Sequence, residues 1–189
     1  QISRYGSALY IAAYAIMMKV SSIAVMPIFG IGQGMQPIVG YNYGAQKYKR
    51  MKDTLLLTLR VGTLIMVIGF VVCELFPGLL VSAFTSDPGL KSMAVKGIRL
   101  AFIMLPVVGF QIIISNFFQS ISKAPKAIFM SLSRQVIFLI PSLYLFSKWF
   151  GLTGVWLSIP FSDLLAALVA LILILREKRF FYPSQQQRA

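Results

Sequence analysis

The sequence predicts an all-α integral membrane protein, built as a polytopic bundle of transmembrane helices. Hydrophobic residues make up 58% of its 189 residues, and the mean hydropathy is +0.79. Soluble globular chains are about 45–50% apolar, so this composition argues against a water-soluble fold. The apolar runs between charged residues are also long enough to cross a bilayer, which requires about 20 residues of helix.

Five such helices are expected, with polar or turn-forming segments between them. Their predicted bounds are residues 8–39, 54–76, 88–120, 127–149 and 155–175. The first is longer than the hydrocarbon core, so it should tilt or protrude, and Pro27 is a possible kink. Asp87 precedes Pro88 and should cap the third helix. Trp149 and Trp156 flank the last turn, as aromatic residues do at a membrane interface.

The net charge of +13 follows from 18 Lys and Arg against five Asp and Glu. These cations concentrate at the ends of apolar runs rather than on one amphipathic face, so we expect a lipid bilayer as partner and no nucleic acid. The basic segments are Lys47–Lys52, Lys123–Lys126 and the C-terminal Arg176, Lys178 and Arg179. Cytoplasmic loops are rich in Lys and Arg, which places these segments and the C-terminus in the cytoplasm. The loops around Asp87 and Gly151 then lie outside.

The residue inventory argues against an enzyme. The chain has no His, and Cys73 is its one cysteine. His-based acid–base chemistry and the usual zinc sites are therefore excluded, and the five carboxylates are scattered among different helices. We expect no catalytic residue, no bound metal and no cofactor.

Two sets of amide and hydroxyl residues interrupt the apolar helices. Gln33 and Gln36 lie three residues apart on the first helix, so both face roughly the same way. On the third helix, Gln111, Ser115 and Gln119 recur every four residues, with Asn116 beside them. We interpret these six residues as the wall of a substrate pathway in the cytoplasmic half of the membrane. The alternative is that they only hydrogen-bond helices together.

Glycine spacing and two charges add further expectations. Gly30 with Gly34, and Gly40 with Gly44, form small-xxx-small pairs that favour close helix packing. Arg134 and Asp163 lie at similar depths on either side of the last turn. Because an isolated charge near the membrane centre costs about 2.5–3.5 kcal/mol, we predict that they form an intramembrane ion pair.

The segment from Met26 to Ala45 reads MPIFGIGQGMQPIVGYNYGA. It resembles the second half of the multidrug and toxic compound extrusion (MATE) family, in which MP-x-x-G-x-x-QG-x-QP-x-x-GYN-x-GA is characteristic. FTSDP at residues 84–88 and SLSRQ at residues 131–135 are similar to the corresponding family segments, as in the bacterial multidrug exporters. The resemblance implies one transmembrane domain over residues 1–189, with five helices of a six-helix C-terminal lobe. The sixth helix and the N-terminal lobe would belong to the same chain.

The resemblance also implies a function. It is that of a secondary active multidrug efflux transporter in the plasma (inner) membrane, which antiports H⁺ or Na⁺ against drugs or organic cations by alternating access. This lobe is poor in membrane carboxylates, so the essential coupling carboxylate is expected in the first lobe. Two alternatives stay open: a lipid-linked oligosaccharide flippase of the same superfamily, and a non-transporting membrane scaffold.

Overall fold

The computed structural model describes residues 8–177, and every regular element in this range is helical. The basic residues Lys178 and Arg179, expected in the cytoplasm, lie outside the described residues. The elements in order are α1 (Ala8–Gly44), α2 (Tyr48–Leu75), α3 (Pro77–Ser82), α4 (Pro88–Phe102), α5 (Leu105–Ser120), α6 (Ala124–Leu132), a π-helical segment (Ser133–Leu139) and α7 (Ile140–Arg176).

Four helical stretches of the described chain are long and apolar enough to cross a membrane, and α4 with α5 makes a fifth if this bent pair is one span. The four are Leu9–Gly44, Tyr48–Leu75, Ala124–Gly151 and Thr153–Arg176. Each contains the helix predicted at that place apart from at most one terminal residue, and each extends beyond the predicted bounds by one to six residues at one end or both. Polar residues at helix ends extend a helix without contributing to its apolar run, so hydropathy alone underestimates its length.

The predicted third helix, 88–120, is not one continuous helix in the structure. It is broken between Phe102 and Leu105, and α4 and α5 meet at a bend of 54°. Pro106 is the second residue of α5, and proline has no N–H to continue the preceding helical ladder. The helix therefore stops ahead of Pro106 and restarts with the proline in its first turn, where a missing N–H costs nothing.

The centre of the bundle is α5, four of whose aromatic and branched residues are fully buried. Phe117, Phe118, Ile113 and Ile114 each have no exposed surface. Glycines let neighbouring helices approach this core closely. A Cβ at Gly62 of α2 would lie 2.6 Å from Cδ1 of Ile28, so no larger residue fits there without a shift.

The opposite face of α2 is apolar and exposed. Leu57, Leu64, Ile68 and Leu75 are each more than half exposed. Large exposed apolar surfaces are rare on soluble monomers but are what lipid contacts. The pattern agrees with α2 lying at the lipid-facing side of the bundle.

The last two spans form a tight antiparallel hairpin. The helix is interrupted at Gly151, whose φ of 57° and ψ of −131° suit glycine. Beyond it, a Cβ at Gly154 would overlap the carbonyl oxygen of Phe146. The Phe146 and Phe161 rings then meet across the hairpin, with centroids 5.1 Å apart.

The predicted N-cap of the third helix is present in the structure, whereas one of the two tryptophans predicted at the membrane interface is buried. Asp87 is confirmed as the N-cap of α4, because its Oδ1 accepts from the N–H groups of Gly89 and Leu90 at 2.7 and 3.0 Å.

Trp149 is exposed, but Trp156 is buried. Its ring fills the space beside Gly97, where a Cβ would lie 2.7 Å from the ring edge. The interfacial role predicted for Trp156 is therefore wrong, since helix packing and not the turn determines its surroundings.

Candidate functional site

The amides of α1 and α5 meet directly. Nε2 of Gln36 donates to Oδ1 of Asn116 at 3.2 Å. The helices approach closely because Gly32 and Gly40 lie one turn before and one turn after Gln36. A Cβ at Gly32 would lie 3.2 Å from Cγ of Asn116, and one at Gly40 would lie 3.3 Å from the carbonyl oxygen of Ser120.

A cavity of about 720 Å³ opens beside this contact. Its wall combines four of the predicted amides with an aromatic ring, a proline and a hydroxyl. The lining residues are Phe29, Gln33, Gln36, Pro37, Asn116, Gln119 and Ser120. Gln33 and Gln36 thus line the same cavity, as their spacing of three residues indicated.

A larger cavity of about 1320 Å³ lies between α1, α4, α5, α6, the π-helical segment and α7. Its surface is mostly apolar, with contributions such as Met26, Phe29 and Phe102. Four of the predicted residues, Gln111, Ser115, Asn116 and Gln119, also line it. The structure therefore brings all six predicted pathway residues to the walls of two cavities, which share Phe29, Asn116 and Gln119.

Two buried amide atoms on these walls have no hydrogen-bonding partner in the described chain. They are Oε1 of Gln111 and Nδ2 of Asn116, on side chains that are 95% and 91% buried as residues. Leaving a buried polar group unsatisfied costs about 1–3 kcal/mol. An amide that is used only to join two helices would have its partners in place. These two atoms are buried in the described chain without a partner, so helix–helix hydrogen bonding does not account for all of the polar atoms at this site.

The predicted partners Arg134 and Asp163 are also brought together. Nε of Arg134 lies 2.7 Å from Oδ1 of Asp163, on the wall of the larger cavity. Arg134 is the second residue of the π-helical segment, and π-helical turns frequently occur at functional sites. The hairpin at Gly151 and Gly154 sets the register that places the two residues opposite each other.

Three of the four predicted packing glycines have a different environment. A Cβ at Gly30, Gly34 or Gly44 would meet no atom within 4 Å among the described residues, so within this part of the chain these glycines do not mediate helix packing. The reason is helical periodicity: Gly32 faces α5, and residues two positions away lie nearly opposite. Of the predicted set, only Gly40 is closely packed, against Ser120. Gly32, which the small-xxx-small pattern did not select, makes the tighter approach.

A cluster of charges at the end of α7 was not predicted. Glu177 accepts from Nζ of Lys123 at 2.6 Å and also pairs with Lys126. Burial by itself would raise the pKa of Glu177, but the hydrogen bonds and charges of the two lysines lower it below its ordinary value. The lysines and the glutamate are 51 and 54 residues apart in sequence. In the sequence, this cluster is indicated only by the opposite charges at the start of the fourth predicted helix and at the end of the fifth.

The family model described as MatE matches residues 1–145, which is more than half of the chain. This chain belongs to the MatE family. The multidrug export protein MepA of Staphylococcus aureus (strain bovine RF122 / ET3-1) is 28% identical over 179 residues, covering 92% of this chain and 38% of MepA. MepA of Staphylococcus haemolyticus (strain JCSC1435) is 24% identical over 164 residues, covering 87% of this chain and 36% of that protein.

Solved MATE structures share the fold. The MATE multidrug transporter DinF-BH, solved in complex with R6G, superposes with a TM-score of 0.85 and 36% identity, over 97% of this chain and 41% of DinF-BH. A MATE protein in the bent conformation gives a TM-score of 0.89 at 20% identity, over 95% of this chain and 40% of that one, and supports the fold alone. The chain thus spans about two fifths of the length of its relatives.

Proposed function

We propose that this chain forms the C-terminal lobe of a secondary active multidrug efflux transporter, which antiports H⁺ or Na⁺ against drugs by alternating access. Family membership supports a role in transport. The relatives' names support the substrate class, since MepA is a multidrug export protein and DinF-BH was solved with a bound small molecule, R6G. The first lobe would complete the transporter and supply the opposite wall of the substrate pathway.

The observation that carries the proposal is that amide side chains line two open cavities of an apolar bundle. A membrane scaffold needs polar side chains only at its helix ends, because polar groups within the bilayer are costly. Here Gln111 and Asn116 are buried in the bundle with unsatisfied amide atoms. Uncharged amides around an apolar cavity can bind many ligands through a few hydrogen bonds, which suits a multidrug pathway.

The described carboxylates favour coupling through the first lobe. Asp163 is the only carboxylate among residues 8–177 on the walls of the two cavities. Its side chain is 4% exposed and is already paired with Arg134. A coupling carboxylate must exchange protons or Na⁺ with water, so we place the essential one outside this part of the chain.

The cavities argue against a flippase for phosphate-linked lipids. Such a protein would require several cations around a wide cavity to hold a phosphate group. On the described cavity walls, Arg134 is the one cation, and Asp163 neutralises it.

We also propose a plasma-membrane location with the Lys123–Lys126 loop and the end of α7 on the cytoplasmic side. The contacts of Glu177 with Lys123 and Lys126 support a common side for these two segments. A reporter enzyme that works only in the cytoplasm should therefore be active when it is fused after Arg179. If instead a reporter that works only outside the cell is active at this position, the proposed topology is wrong.

The pathway is tested by cysteine accessibility in the full-length reading frame that contains these residues. Gln33→Cys and Gln119→Cys, each in a cysteine-free background, should react with a membrane-impermeant thiol reagent in inside-out vesicles, and a transported drug should slow both reactions. Leu64→Cys is the control, because Leu64 is 61% exposed on the lipid-facing side of α2. If neither cavity cysteine reacts faster than Leu64→Cys, the amides do not line an aqueous pathway.

A further inference from the structure

The ion pair in the larger cavity is asymmetric. Side-chain exposure is 34% for Arg134 and 4% for Asp163. The carboxylate is therefore almost fully buried, whereas the Arg134 side chain, on the wall of the same cavity, keeps a third of its surface exposed. A ligand that enters the cavity meets the positive end of the pair.

The Arg134 guanidinium has N–H donors that its contact with Asp163 does not use. A guanidinium carries five N–H donors in a planar fork, and the bond to Asp163 uses Nε. Among the described residues, Asp163 is its one hydrogen-bonding partner. The terminal N–H groups of Arg134 thus remain for an acceptor from the cavity. A planar carboxylate is the group that this fork binds in bidentate fashion.

The rest of the cavity determines what kind of molecule can carry that carboxylate. The described wall is mostly apolar and contains no charged residue other than Arg134 and Asp163. Its volume of about 1320 Å³ exceeds the 300–1,000 Å³ range of typical ligand sites, so it has room for a drug-sized aromatic body. Because the ion pair is neutral overall, a simple anion would bring an unbalanced charge into this apolar space. A zwitterion brings its own compensating cation.

We propose that Arg134 recognises the carboxylate of zwitterionic aromatic amphiphiles in this cavity, with Asp163 holding the guanidinium in place. The inference rests on the proposed transport function and specifies its substrate class at this lobe. It also separates the roles of the two charged residues: Arg134 contacts the ligand, and Asp163 is a positioning residue. A purely cationic drug would find no exposed carboxylate on the described wall of this cavity.

Two dyes that differ in one group test the assignment. Rhodamine 110 carries a free carboxylate and is a zwitterion, whereas rhodamine 123 is its methyl ester and is a cation. Binding of each to the purified full-length protein in nanodiscs is measured by fluorescence polarisation. A charge-assisted hydrogen bond predicts about tenfold tighter binding of rhodamine 110, or somewhat more.

The variants then assign this preference to one residue. Arg134→Gln combined with Asp163→Asn removes both charges and keeps amides able to bond each other, so the ratio of rhodamine 110 to rhodamine 123 affinity should fall to about one. Arg134→Lys keeps the charge but loses the fork, and should reduce the preference only partly. Arg60→Gln removes a cation outside both cavities and is the control, with the preference unchanged.

Each outcome has a definite meaning. Equal wild-type affinity for the two dyes, or a preference that survives in the double variant, would overturn the role of Arg134 and leave the transport proposal intact. If the double variant does not fold, an unchanged preference in Arg134→Lys overturns it equally. Binding of neither dye would contradict both this inference and the proposed function.

Discussion

Replacing Gly154 by Ala should separate the last two spans. The added methyl group would overlap the carbonyl oxygen of Phe146, with the N of Ser147 only 3.0 Å away. Both neighbours are backbone atoms of the preceding span, so no side-chain rotation can relieve the overlap. The two helices must move apart at the point where the hairpin closes.

The size of the effect follows from this geometry. Restoring an ordinary contact requires a shift on the order of 1 Å, and overpacking of this kind typically costs about 1–3 kcal/mol. The shift also weakens the Phe146–Phe161 ring contact, which contributes about 0.5–1.5 kcal/mol. Against this, Gly→Ala inside a helix gains about 1 kcal/mol. We expect a net loss of about 1–3 kcal/mol.

The assay is reversible unfolding of the purified full-length protein in mixed micelles, with Gly30→Ala as the matched control. Gly30 lies inside α1, and a Cβ there meets no described atom within 4 Å, so this variant should be neutral or slightly stabilised. If Gly154→Ala is as stable as Gly30→Ala, the hairpin does not depend on backbone contact at Gly154.

Three further predictions concern the polar contacts. Arg134→Ala should destabilise the protein by about 3 kcal/mol, because it leaves the buried Asp163 unpaired, whereas Asp163→Ala should cost less, because Arg134 keeps a third of its side chain exposed. The double variant should lose less than the sum, and strictly additive losses in a double-mutant cycle would show that the pair contributes nothing. Gly32→Ala should push Asn116 away from α1 and slow drug export with a loss of about 1–3 kcal/mol in stability, and wild-type export and stability would contradict the close approach. Glu177→Gln should reduce the free energy of unfolding by about 1 kcal/mol at pH 7. Because the lysines lower the pKa of Glu177, the stability difference between wild type and variant should disappear as the pH falls below the ordinary glutamate value of 4.5. A stability difference that grows on acidification would contradict the ion cluster.

The sequence by itself determined the class of fold and the composition of the candidate site. Long apolar runs must become helices in a bilayer, since no water is present there to satisfy the backbone. Polar residues within such runs are costly, so Gln33, Gln36 and Gln111 could be singled out as candidates without a structure. The Arg134–Asp163 contact followed from counting residues on either side of one turn, because a tight antiparallel hairpin ties depth directly to sequence separation.

Only the tertiary structure decided which residues meet across helices that are distant in sequence. Gly30 and Gly34 matched the packing pattern, yet Gly32 faces Asn116, because the rotation of a helix about its axis depends on all its neighbours at once. The cluster of Glu177 with Lys123 and Lys126 arises in the same way, from the packing of α6 beside the end of α7. The exposure of Arg134 and the burial of Asp163 depend on the cavity that six elements enclose together. Local sequence constrains depth and periodicity, whereas side-chain surroundings depend on packing between segments that no local pattern relates.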